Sequence, residues 1–165
     1  MAEKQIVERA KRAKRKGKSP GTQSGEFVRE EIHHIRQGKH GARSTKQAIA
    51  IGLSKARRAG IALRPPKRGR VSEKTRRSAE RAYESGQRGK SSISRRRSRA
   101  TGRALRRERR TAASRQALSR QSRSAAGRRP RAERSAVARR AARTKGHAGR
   151  SAAARKAART RARHA

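Results

Sequence analysis

The sequence predicts a small all-α protein: a helical hairpin of two or three short helices, followed by a long, intrinsically disordered, Arg/Ala-rich C-terminal tail. Three observations predict this. Apolar residues recur at helical spacing mainly between residues 22 and 85, where the runs are bounded by capping residues and glycines. Large apolar residues are otherwise scarce: hydrophobic residues make up 30% of the chain, much of it alanine, and Phe27 and Tyr83 are the only aromatics. The formal charge is +42 on 165 residues, with 39 arginines and 13 lysines against ten glutamates and no aspartate. Low hydrophobicity with high net charge leaves little burial to offset chain entropy.

Residues 1–21 read as a basic N-terminal arm with a marginal helix. Ile6, Ala10 and Ala13 share a face, Glu8 and Arg12 lie one turn apart, and Gly17 suits a left-handed cap. Lys18-Ser19-Pro20-Gly21 reads as a linker. Residues 22–64 read as the helical hairpin. Ser24 caps a first helix from about Gly25 to Gln37, with Val28, Ile32 and Ile35 on one face, Phe27 adjoining and Gly38 at the end. After a turn over Lys39–Arg43, Ser44 and Gln47 form a capping box. Ile49, Leu53 and Ala56 make the facing stripe, and Ala48 and Gly52 are small enough for close approach. Gly60 stands where a left-handed cap belongs, Ile61 can fold back, and Pro65-Pro66 forbid continuation. The predicted hairpin core is Phe27, Val28, Ile32, Ile35, Ile49, Leu53 and Ala56.

Residues 65–86 combine a basic linker with a third short helix over Val71–Ser85, capped by Ser72 and stopped by Gly86. Its stripe is Thr75, Ala79, Ala82 and Tyr83. Residues 87–165 read as the disordered Arg/Ala/Ser-rich tail, with 28 Lys or Arg against Glu108 and Glu133. A sixteen-residue repeat closes it: Arg134 to Gly146 recurs from Arg150 onward. Repulsion between arginines one turn apart opposes the helix that Ala and Arg otherwise favour, and phosphates would remove that repulsion.

Composition excludes much. Without cysteine there is no disulfide scaffold, thiolate zinc module or thiol catalysis. No apolar run is long enough for a membrane span or a secretory signal, so a soluble, cytoplasmic protein without membrane partners is expected. No catalytic constellation is present, and neither an enzyme nor a cofactor is expected. His33, His34 and His40 with Glu30 and Glu31 include one pair a turn apart, Glu30 and His34, but no defined third and fourth ligand. No metal site is therefore assigned.

What remains is backbone recognition of a polyanion. Arginine grips phosphate bidentately, and each neutralised phosphate releases condensed counterions. Arg95, Arg96, Arg97, Arg128, Arg129, Arg139, Arg140, Arg143, Arg155, Lys156 and Arg159 are the candidate phosphate contacts. Few aromatics means few stacking platforms for single strands, which favours duplex DNA or structured RNA over single-stranded RNA. Arg68, Gly69 and Arg70, after Pro65-Pro66-Lys67, are similar to an AT-hook, whose arginines lie along a narrow minor groove. Val71 stands where that motif has proline.

The segment from Glu26 to Gly60, and above all Lys46 to Gly60 (KQAIAIGLSKARRAG), resembles a family of small, very basic bacterial proteins named variously as DNA-binding or plasmid-stabilisation proteins. The resemblance covers about residues 1–85. The tail is similar in composition to those of linker histones and bacterial histone-H1-like proteins. Together these imply a non-enzymatic, largely sequence-independent, nucleoid-associated protein that neutralises and condenses duplex DNA. The alternatives are an RNA-binding or ribosome-associated protein, and a protein-interaction or plasmid-maintenance module that homodimerises through the hairpin, with Ile51 as its foothold.

Overall fold

Helix is the only regular structure among the described residues, 2–89 and 94–163 of a computed structural model. The helices are α1 (Ala2–Arg15), α2 (Pro20–Arg36), α3 (Thr45–Arg58), α4 (Glu73–Gln87), α5 (Arg95–Arg106), α6 (Arg115–Gly127) and α7 (Arg131–Ala162), with a 3₁₀ turn at Arg110–Ala113. The chain divides into two compact units, residues 1–121 and 122–165, with the boundary inside α6.

The first unit is built around the hairpin of α2 and α3. Helix α2 starts earlier than the spacing of its apolar residues suggests. Ser19 is the N-cap, its Oγ accepting from the Thr22 amide at 3.3 Å, and Pro20 occupies the first turn, where its missing N–H costs nothing. Residues 19–21 are thus a helix start and not a linker, while the Lys18 amide still donates to the Ala13 carbonyl of α1. Ser24 lies buried inside the helix and donates its hydroxyl to the Gly21 carbonyl. Helix α3 has the expected cap: the Gln47 amide donates to Ser44 Oγ at 3.2 Å, and Gln47 Oε1 accepts from the Arg43 amide at 2.7 Å. It closes on Gly60 at φ +82°, with Ile61 N–H donating back to the Ala56 carbonyl. At Gly52 the two helices nearly touch, since a Cβ there would stand 2.7 Å from Cα of Val28.

Two apolar clusters hold the unit together. Ile6 and Ala10 of α1 pack with Phe27, Ala56 and Ile61, so the N-terminal helix rests on the hairpin. Helix α4, capped by Ser72, lies along α3 through Ala79 and Ala82, while Thr75 is exposed. Gly86 does not stop α4. It sits inside the helix, where a Cβ would collide with the Arg57 carbonyl, and the helix runs on to Gln87.

The other cluster overturns the expectation of a disordered tail from Gln87 onward. Ala112 and Ala113 are buried with Ile32, Ile35, Ala42 and Ala48, and Leu118 packs against them. Backbone groups complete the join: Gly41 N–H donates to the Leu105 carbonyl at 2.9 Å and Ala42 N–H to that of Arg109 at 3.1 Å. Thr45 Oγ1 donates to the Ala112 carbonyl at 2.7 Å, and Arg36 Nε to that of Ala113 at 2.9 Å. Small side chains made this possible. Alanine buries little area itself, but it lets backbone approach close enough for hydrogen bonds that composition does not register.

Beyond this join the chain is also helical. In the second unit α7 covers Arg131–Ala162, interrupted at Gly146, whose φ of 65° and ψ of 177° are not helical. Ala, Arg and Ser supply the propensity, which outweighs the repulsion expected to keep the free tail unfolded. The two copies of the sixteen-residue repeat fall on either side of this kink.

Candidate nucleic-acid interface

The second unit has no core among its described residues: none of its described side chains is buried. Its 44 residues hold 15 Lys or Arg and a single acid, Glu133. Arg139, Arg140 and Arg143 lie on α7 before Gly146, Arg155, Lys156 and Arg159 after it, and all six are exposed. At about 100° per residue, these three cations of each arm share one arc of about 100°, while Arg131 and Arg134 before Gly146 and Arg150 and Arg161 after it fall on the opposite side. Arg128 and Arg129 form the exposed turn between α6 and α7.

In the first unit, Arg95, Arg96 and Arg97 are the opening residues of α5 and all exposed. Ser94 makes no side-chain capping bond and the first turn holds no acid. Three cations thus stand at the positive end of a helix, an arrangement that an anion would relieve. Arg68, Gly69 and Arg70 lie in an exposed connection between α3 and α4. The Arg70 amide donates to the Lys67 carbonyl at 3.3 Å and Gly69 has φ +77°, a tight turn with glycine at its third position. An AT-hook is extended at this point, and this segment is not. Arg57 pins the stretch leading to it. Its guanidinium is buried, with Nε donating to the Leu63 carbonyl at 3.0 Å, and desolvation lowers its pKa below the ordinary arginine value.

Several acids of the first unit are engaged internally. Glu26 pairs with Arg9 at 3.1 Å, Glu73 with Arg76 at 2.8 Å, and Glu80 with Arg76 at 3.3 Å. Arg9, Arg29, His33 and Arg36 line a cleft of about 520 Å³ together with Glu30, Ile32 and Leu118.

Of the predicted hairpin core, Phe27, Ile32, Ile35 and Ala56 are buried, whereas Val28, Ile49 and Leu53 are half-buried. Ile51 is half-buried too. Sequence reasoning weighed Glu31 with the neighbouring histidines but missed its burial: its side chain is 0% exposed. It meets Lys55 Nζ through Oε2 at 2.6 Å and His40 Nε2 through Oε1 at 3.3 Å. His34 lies beside them, its Nε2 3.0 Å from Glu30 Oε1. Burial, then the ammonium groups of Lys39 and Lys55, hold the His34 imidazole below its ordinary pKa. The signal for Glu31 was its register, one turn after Phe27 and one before Ile35. For Ala112 and Ala113 it was the pair Leu105 and Leu118, the only leucines after Gln87. No helix among the described residues is long and apolar enough to cross a membrane.

Comparison of the chain with family models, with curated proteins and with solved structures gives no match.

Proposed function

We propose that this protein is a non-enzymatic, largely sequence-independent DNA-binding protein of the nucleoid-associated, histone-H1-like kind, acting in the bacterial cytoplasm to neutralise and condense duplex DNA. The observation that carries the reading is the second unit, a helical segment with 15 cationic side chains, one acid and no buried described residue. Such a segment gains nothing from a core. Its helices place like charges one turn apart, as at Arg139 and Arg143 or Arg155 and Arg159, and a polyanion turns that repulsion into attraction.

Charge on two opposite sides of a helix suits a ligand that presents phosphates on two flanks, as the walls of a duplex groove do. The bidentate fork of arginine suits phosphate oxygens, and base edges are not needed for this kind of binding. The first unit adds Arg95, Arg96 and Arg97 at the start of α5, and the exposed Arg68 and Arg70 in the turn between α3 and α4 as further phosphate contacts.

The test is a fluorescence titration of the full chain with matched duplex DNA and duplex RNA over a salt series. Affinity for DNA should fall by about 0.9 log units per contacted phosphate for each tenfold rise in salt. DNA should be preferred at every salt concentration. Equal or tighter binding to duplex RNA would move the protein to an RNA-binding role.

A further inference from the structure

We propose that Glu31, His34 and His40 form a binding site for a first-row divalent metal ion, with Zn²⁺ the best match to the donor set. The inference goes beyond the DNA-binding reading and does not depend on it. One ligand atom from each residue lies within 4.8 Å of the others, close enough for a single ion to draw them together. Glu31 and His34 are three apart on α2, so one helical face supplies two donors. His40 comes from the connection to α3, which is held in place by the Gly41 and Ala42 hydrogen bonds to residues 105–109.

Two features of the cluster ask for a cation. Glu31 Oε1 is fully buried and makes no hydrogen bond among the described residues, although Oε2 is held by Lys55. An unsatisfied carboxylate oxygen is costly in such a place, and a cation satisfies it. The second feature is the orientation of His40. Its Nδ1 lies 3.0 Å from the Gly41 carbonyl, which leaves Nε2 turned into the cluster. Nε2 faces Glu31 Oε1 at 3.3 Å, so both ligand atoms are turned toward the same point. A backbone carbonyl on the far nitrogen is how metal-ligating imidazoles are commonly held.

Two imidazoles and one carboxylate suit Zn²⁺ and leave a position for water or an outside ligand. Lys55 limits the affinity. Its ammonium occupies Oε2, confines Glu31 to one oxygen and repels the incoming ion, so a micromolar dissociation constant is expected, weaker than that of a structural zinc finger. Bound metal would clip the α2–α3 connection to α2 and raise the melting temperature of the first unit.

The experiment uses the full chain freed of metal by chelation, in the absence of nucleic acid. Zn²⁺ alone is titrated against a chromophoric competitor, and Co²⁺ is used as a spectroscopic probe. One equivalent should bind, with Co²⁺ giving the intense visible bands of a site with fewer than six ligands. His34→Gln and His40→Gln should each weaken binding at least about tenfold, while His33→Gln and His147→Gln leave it unchanged. The two imidazole variants retain the buried carboxylate and its lysine, and circular dichroism checks their fold. Absence of binding overturns the proposal, as does equal loss from His33→Gln. So does a nitrogen-15 spectrum showing that His40 carries protons on both ring nitrogens at neutral pH in the presence of Zn²⁺.

Discussion

Lys55 on α3 donates a hydrogen bond of 2.6 Å to Oε2 of Glu31 on α2, a carboxylate with no exposed surface of its own. The pair crosses the hairpin interface and fixes which faces of the two helices meet. Removing the lysine leaves a buried charge with one support fewer. Lys55→Met should destabilise the metal-free protein by about 2 kcal/mol, below the full cost of breaking a buried pair because Lys55 is partly in water. Glu31→Leu combined with Lys55→Met should recover most of that loss. Urea melts of the three proteins in chelator check both values.

Glycine substitutions should separate open positions from contact positions. Gly25 lies in α2 with nothing within 4 Å of a Cβ built on it, so Gly25→Ala should stabilise by about 0.5–1 kcal/mol through helix propensity. Gly52→Ala should instead cost about 1–3 kcal/mol, because the added methyl meets backbone of Val28 that cannot swing away. Thermal melts of the two variants should move in opposite directions.

Gly41→Ala tests the join between the hairpin and residues 105–113. A Cβ there collides with the Glu108 carbonyl, so the segment must lift. The measurement is hydrogen exchange. Amides of Gly41 and Ala42 should lose protection, since their acceptors at Leu105 and Arg109 withdraw, while amides in the middle of α3 keep theirs.

The first turn of α4 carries a pH signature. Hydrogen bonding to Arg76, with Arg77 adding to it, holds the Glu73 carboxyl at about 2, against an ordinary value of 4.5. The pair therefore contributes stability above the unfolded value, and that contribution fades as pH falls from 4.5 towards 2. Carbon-detected titration should find the low midpoint, and replacing both Arg76 and Arg77 by alanine should return it most of the way to the ordinary range.

Condensation of DNA should follow the second unit. A chain ending at Gln121 keeps Ala112, Ala113 and Leu118 and hence the apolar cluster they form with Ile32, Ile35, Ala42 and Ala48. It should remain helical by circular dichroism, show a shallower salt dependence of DNA binding, and fail to condense DNA in light scattering. Ending the chain at Gly86 would not be a clean test, because it also removes the segment that the hairpin packs against.

The parts of the fold legible in the sequence were those written in large apolar residues and caps. Ser44 with Gln47, Gly60 with Ile61, and the facing stripes of α2 and α3 each carry a local physical requirement. The start of α2 was misread because Pro-Gly after a basic run reads as a linker, yet Ser19 and Pro20 are also a helix opening. The join at Ala112–Ala113 was hidden because its specificity lies in backbone hydrogen bonds between segments about 65 residues apart in sequence, to which alanine contributes only by being small. Glu31 was hidden by Glu30. Two adjacent glutamates suggest a solvated face, but successive helical residues point about 100° apart, and the second belongs to the apolar side.

Gly146 sets the reach of the C-terminal helix. An unbroken rod over Arg131–Ala162 would extend about 48 Å, well beyond the roughly 34 Å in which a duplex groove completes a turn around its axis. A straight rod laid in such a groove parts company with it after a fraction of that turn. Broken at a residue whose backbone angles only glycine tolerates comfortably, the helix becomes two arms of about 22 Å, each bearing one copy of the repeat. Short rods joined by a corner can follow a curved channel where one long rod must leave it; on the proposed DNA-binding reading, a single glycine would let a stiff, cationic helix turn with its track.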